Sequence, residues 1–127
     1  MSNEQWRTFF LTCAQVLGPG STQSWDSQSW CTWTTFGNFL RYWSAGLPAE
    51  RELGPDAIGD GGTWGQPFPY QDIAHVAIPA AFYWERIAPG DFSSGTRKQD
   101  LEALSSALAA AGIQHRRTEL VLELKFY

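Results

Sequence analysis

The sequence predicts an α+β fold: a small, largely antiparallel sheet with helices packed on one face, an N-terminal helix and a C-terminal helix–strand unit. Three observations predict it. Apolar residues recur at helical spacing near both ends of the chain, at Trp6, Phe9, Phe10, Cys13, Val16 and Leu17, and at Leu101, Leu104, Leu108 and Ala111. Short β-branched and aromatic runs lie between and after these stretches. The 127 residues are 43% hydrophobic and 17% charged, which suits a single domain over 1–127 with its own core rather than a disordered chain.

Taken in order, Ser2 and Gln5 form an S-x-x-Q capping box and open a helix over 3–17, which Gly18-Pro19 stops. Residues 19–29, rich in Ser, Gly and Gln, read as a loop. The stretch 30–45 has two readings. A strand near 29–34 followed by a helix near 36–45 is preferred, the helix placing Phe36, Phe39, Leu40 and Trp43 on one face. The alternative is a hairpin that turns at Gly37-Asn38 into Phe39–Trp43.

From Pro48 to about Tyr70 the composition shifts. Four prolines and five glycines break regular structure, and Glu50, Glu52, Asp56 and Asp60 outweigh Arg51. This reads as a long acidic Pro/Gly-rich loop, of a length that is usually functional or disordered. Its aromatic residues, Trp64, Phe68 and Tyr70, argue against disorder. A strand follows at Ile73–Ile78, ended by Pro79, and another at Phe82–Ile87, with a turn at Ala88–Asp91. Thr96 and Gln99 spell a second capping box and predict a helix over 97–111 with Gly112 beyond it. Ile113–Arg117 reads as a short strand. Leu120, Leu122, Leu124 and Phe126 alternate with polar and β-branched residues, as a half-buried final strand does.

Thirteen acids against nine bases give a net charge of −4, which is unsuited to a nucleic-acid backbone and suited to a basic protein partner. No run approaches the roughly 18 apolar residues of a membrane span, and residues 1–5 lack the pattern of a signal peptide. The expectation is a cytoplasmic protein that contacts neither membrane nor nucleic acid. Two cysteines without a CxxC and two histidines predict neither a metal site nor a cofactor, and in the cytosol Cys13 and Cys31 are expected to be free and buried.

Candidate chemistry is sparse. Gly59–Gly65 is glycine-rich but lacks the Lys-Ser/Thr and the flanking strand and helix of a phosphate loop. Asp72 and His75 point to opposite faces of a strand, so a structural His75 is preferred to a catalytic pair. His115-Arg116-Arg117 with Arg97 and Lys98 is the basic concentration, and Arg116 and Arg117 have Glu119 and Glu123 within reach along the sheet edge. Trp6, Trp30, Trp33, Phe36, Phe39 and Trp43 belong to periodic segments and read as core. Trp25, Trp64, Phe68 and Tyr70 fall in or beside loops, where partner binding is a real option. The candidate partner-binding set is therefore Glu50, Glu52, Asp56, Asp60, Trp64, Phe68, Tyr70 and Asp72.

The closing part of the chain runs Asp100-Leu101-Glu102-Ala103-Leu104, Ala111-Gly112-Ile113-Gln114-His115-Arg116 and Leu122-Glu123-Leu124-Lys125-Phe126-Tyr127. With its small size and acidity, it resembles the cytoplasmic immunity proteins of bacterial polymorphic toxin systems. That resemblance implies a binding protein, without chemistry of its own, that neutralises a cognate toxin domain by blocking its active site or substrate access. The acidic loop with aromatic anchors suits a toxin with a basic cleft. The competing reading is a small enzyme built on Asp72, His75, His115 and Cys31, or a ligand-binding domain using exposed tryptophans.

Overall fold

The first helix, α1 (Asn3–Leu17), starts at the expected box: Gln5 N–H donates to Ser2 Oγ at 3.1 Å, and Ser2 N–H donates to Gln5 Oε1 at 2.8 Å. These reciprocal bonds satisfy donors that a helix end leaves open. Gly18, at φ 97°, turns the chain out of the helix. The computed structural model describes residues 1–37, 40–59 and 65–127.

Among the described residues nine strands follow in chain order: β1 (Cys31–Thr35), β2 (Tyr42–Ala45), β3 (Ala57–Ile58), β4 (Phe68–Pro69), β5 (Ile73–Pro79), β6 (Ala81–Ala88), β7 (Asp91–Lys98), β8 (Arg116–Arg117) and β9 (Val121–Lys125). The second helix, α2 (Leu101–Ala110), lies between β7 and β8. Five strands form an antiparallel sheet in the order β2-β1-β5-β9-β8, while β3 pairs with β4 and β6 with β7.

The register decides which residues the helices cover. Trp43, Trp33, Val76 and Leu124 stand opposite one another across four strands, and Ile78 stands opposite Leu122. Trp33, Val76, Ile78, Leu122 and Leu124 join α1 (Trp6, Phe9, Phe10, Cys13) and α2 (Leu101, Leu104, Leu108) in one buried cluster, with Trp43 packed against it. The alternate residues, Thr34, His75 and Lys125 in one row and Thr32, Ala77, Glu123 and Arg116 in the next, therefore face away from the helices. The expected α+β arrangement, with an N-terminal helix and a C-terminal helix–strand unit, is present. Cys13 and Cys31 are both free and fully buried, and burial pushes both thiols well above their ordinary range.

Several elements differ from expectation. The preferred helix near 36–45 does not form, and Tyr42–Ala45 is a strand of a hairpin with β1. The indoles of Trp33 and Trp43 stack across the pair, with centroids 4.9 Å apart and planes 1° from parallel, and Phe68 meets both rings edge-on. A helix would have buried Phe36 and Leu40, which are 46% and 73% exposed. The expected core position Phe36 is thus a surface residue, and Phe39 lies outside the described residues.

The stretch 48–70 is only partly loop. A 3-10 turn at Glu50–Glu52 leads to Leu53, which bridges to Ile58, and Ile58 pairs with Phe68. Strand β7 replaces the start expected for the second helix. It pairs with β6 along its whole length, from Ala81↔Lys98 to Ala88↔Asp91, around a Pro89-Gly90 turn with Gly90 at φ 74°. This arm seats one face on the 19–29 loop. Phe82 stacks on Trp30 at 5.5 Å, and Arg97 donates to the carbonyls of Ser27 and Trp25 at 2.6 and 3.1 Å.

Thr96 and Gln99 consequently form no capping box. Asp100 caps α2 instead, its Oδ1 accepting from Ala103 N–H at 2.9 Å. The helix ends in paired bonds, Gly112 N–H to Ala109 O and Ile113 N–H to Leu108 O, with Gly112 at φ 74°. In the final strand Leu122 and Leu124 are buried as expected, whereas Leu120 precedes the strand and is 78% exposed.

Candidate functional site

The acidic segment is anchored from beneath by its own apolar residues. Leu53, Ile58, Phe68 and Tyr70 are fully buried in the main cluster. Tyr70 O–H donates to Gly54 O at 2.8 Å, Arg7 Nε donates to Leu53 O at 3.1 Å, and Tyr70 N–H donates to Asp56 O at 3.1 Å. Burial raises the Tyr70 hydroxyl above its ordinary range, the nearby Asp56 adds to this, and the Arg7 guanidinium opposes it. Phe68 and Tyr70 are therefore corrected from surface anchors to core supports: pairing of β3 with β4 turns these loop aromatics inward.

What the anchored segment shows to solvent is charge. Glu50, Asp56 and Asp72 are exposed and Glu52 is half-buried. Arg51, Glu52 and Asp56, with Gly54, Ala57, Gly59 and Pro67, line a groove of about 730 Å³. Asp72 stands apart from that groove's lining, and its backbone carbonyl accepts from Phe36 N–H at 2.8 Å. Asp60 and Trp64 lie outside the described residues.

A second polar group occupies the helix-free face of the sheet. His75 Nε2 and Glu123 Oε2 are 2.7 Å apart, and Arg116 Nε lies 3.8 Å from Glu123 Oε1. The carboxylate only accepts, so His75 Nε2 donates. This hydrogen bond, helped by the charges of Arg116 and Lys125, holds the Glu123 carboxyl below its usual range. The expected pairing of Arg116 with a sheet-edge glutamate is present, and His75 is half-buried with a structural partner.

The four residues of the enzyme reading do not converge. Cys31 lies on the buried face of the sheet and His75 on the other, while Asp72 is exposed in the turn before β5. His115 is engaged elsewhere. Its Nδ1 donates to Ile113 O at 2.9 Å, which leaves Nε2 of the neutral ring to accept from Ser105 Oγ at 2.6 Å. Sequence reasoning missed this serine–histidine pair because ten residues and a helix end separate the two. It has the hydrogen-bond order of a nucleophile and its base. Yet neither residue lines the clefts bounded by Thr34–Tyr42, by Arg51–Gly59 or by Gln99–Glu102. Its evident effect is to tie α2 to the segment entering β8.

Among the described residues no three His, Cys, Asp or Glu side chains are grouped to hold a metal ion, and no helix is long and apolar enough to cross a membrane. Of the two loop tryptophans, Trp25 is half-buried and Trp64 lies outside the described residues. Comparison with protein-family models, with curated proteins and with solved structures finds no match.

Proposed function

We propose that this chain is a cytoplasmic immunity protein, which binds a cognate bacterial toxin domain and blocks its active site or substrate access. The observation that carries the reading is the acidic segment at 50–72. Its described parts are fastened to the core through Leu53, Ile58, Phe68 and Tyr70, with Glu50 and Asp56 exposed and Glu52 half-buried. Carboxylates held on a fixed platform lose little freedom on binding, so attraction to a basic cleft is not offset by ordering a loose loop. Charge of this sign also accelerates the encounter. The dispersal of Asp72, His75, His115 and Cys31 supports a role that needs no chemistry of the chain's own.

The test is to capture the partner of the tagged chain from its native cells through a salt wash, then to titrate that partner against the chain and against a Glu52→Lys/Asp56→Lys double variant. The expected result is a toxin domain bound tightly by the chain and at least about tenfold more weakly by the double variant, with association slowed by added salt. A partner without toxic activity, or one indifferent to these two charges, overturns the proposal.

A further inference from the structure

The arm formed by β6 and β7 has one covered edge and one open edge. Its strands pair residue for residue from Ala81↔Lys98 to Ala88↔Asp91, and next to the first pair Gln99 N–H donates to Ala80 O at 2.8 Å. Bonded residues alternate along an antiparallel ladder. Arg97, Gly95, Ser93 and Asp91 therefore bond to β6, while Phe92, Ser94, Thr96 and Lys98 aim their backbone groups the other way. Glu85 gives the same phase from β6: its N–H leaves the pair and donates to Ser24 Oγ at 3.4 Å, in the loop that covers that edge. Along β7 the outward backbone groups of Phe92, Ser94 and Thr96 have no partner among the described residues.

This edge carries none of the devices that discourage strand pairing. It is eight residues long, holds no proline, shows no shift of register, and has no charge from Phe92 to Thr96. Such an edge is a template for another strand, and a ribbon of two strands gains stability from more. The arm's outward face also leaves three large apolar side chains in water: Tyr83 and Phe92 are each 58% exposed and Ile87 76%.

The charges of β7 say which strand fits. It begins with Asp91 and ends with Arg97-Lys98, and none of the three has an opposite charge within ion-pair distance among the described residues. A copy of β7 running antiparallel brings its acidic end to the basic end of the first. A two-fold axis through Ser94, normal to the ribbon, sets Ser94 opposite Ser94 and Phe92 opposite Thr96 as hydrogen-bonded pairs. Asp91 then falls opposite Arg97 of the second copy, at a non-hydrogen-bonded position where side chains come closest.

We propose that this chain dimerises through β7, joining two arms into one four-stranded antiparallel sheet about a two-fold axis at Ser94. On its outward face the row of Ile87 and Phe92 continues into Thr96 and Tyr83 of the second copy. The edge is separate from the acidic groove, and the dimer stands whether or not that groove binds a toxin.

Sedimentation equilibrium of the full chain, up to about 100 µM, measures the association. A dimer is expected, with its dissociation constant raised at least about tenfold by Ser94→Pro, which removes an outward N–H from the edge. Asp91→Lys, at an exposed position, sets like charges against Arg97 and is expected to weaken the dimer by a similar factor even if Ser94→Pro fails to fold. A short thiol cross-linker reads the register. Ser94→Cys meets its own copy at the axis and is expected to be joined into covalent dimers. Lys98→Cys, on the same edge, lies about 26 Å from its copy and is expected to stay unjoined. A chain that remains monomeric, whatever other strand the edge accepts, overturns the proposal. So does a dimer unaffected by Asp91→Lys, or one cross-linked at position 98 as readily as at 94.

Discussion

The side chain of Gln99 pairs with both backbone groups of Trp30: its Oε1 accepts from Trp30 N–H at 3.0 Å and its Nε2 donates to Trp30 O at 2.9 Å. The same Nε2 donates to Pro79 O at 3.0 Å. In the register that pairs Thr32 with Ala77, Trp30 would stand opposite Pro79. Proline has no N–H to offer, so the ladder between β1 and β5 cannot continue there by backbone alone. The amide of Gln99 completes it.

Removing that amide leaves three backbone groups short of a partner, and Gln99 is only 6% exposed. Gln99→Ala is expected to lower the unfolding free energy by about 2–3 kcal/mol. Gln99→Glu is expected to lower it at least as much at neutral pH, because a carboxylate has no hydrogen for the two carbonyls. Equilibrium urea unfolding measures both, and a Glu variant as stable as the parent would refute this account of the ladder end.

The true start of α2 separates two candidate caps. Asp100→Ala removes the bond from Ala103 N–H and is expected to cost about 1 kcal/mol. Thr96 is exposed within β7 and caps nothing, so Thr96→Ala is expected to change stability by no more than about 0.5 kcal/mol. The reverse order in thermal or urea unfolding would restore the capping box at Thr96.

Gly46 is required by close approach of backbone to backbone. A Cβ there would collide with Ser21 N and Ser27 Oγ and lie 2.6 Å from the Cα of Gly20. Ser27 Oγ already accepts from Ser21 N–H at 2.9 Å, so neither can move without breaking the loop. Gly46→Ala is expected to cost about 1–3 kcal/mol. At Gly59 the nearest atom to a Cβ among the described residues is Glu52 O at 3.7 Å, and Gly59→Ala is expected to stay within about 0.5 kcal/mol. Melting temperatures of the two variants provide the comparison.

The pair of His75 and Glu123 sets a pH dependence of definite sign. Glu123 titrates lower in the folded chain than in the unfolded one, chiefly because His75 donates to its carboxylate. The stability it contributes is therefore present above the ordinary carboxylate range and lost as pH falls through the folded value. Glu123→Gln is expected to be less stable than the parent at neutral pH, with the difference shrinking on acidification. Urea midpoints across that range, with a carbon-13 titration of the Glu123 carboxyl, measure it. A difference independent of pH would remove the carboxylate as its source.

Elements whose signals lie within a few residues were legible in the sequence. The first helix carries its cap, its stripe and its stop between Ser2 and Pro19, and the alternation of Leu122 and Leu124 places the last strand's buried face. The stretch 30–45 was not legible, because one short aromatic run fits either a helical stripe or a hairpin. Packing of Trp33 on Trp43 and of both on Phe68 selects the hairpin. The candidate site divides in the same way. Charge alone identifies Glu50, Asp56 and Asp72 as surface. Phe68 and Tyr70 give no local sign that β3 and β4 carry them into the core.

The sequence by itself determined the α+β class, the two helical faces and the acidic balance, because periodicity, capping and composition are properties of neighbours along the chain. The tertiary structure decided which aromatics are core, where α2 begins and what Gln99 is for. A buried ring or amide is stabilised by partners that only the fold supplies, across 69 positions for the amide of Gln99. Where local and distant demands met at Gln99, the buried backbone groups of Trp30 and Pro79 outweighed an exposed helix cap.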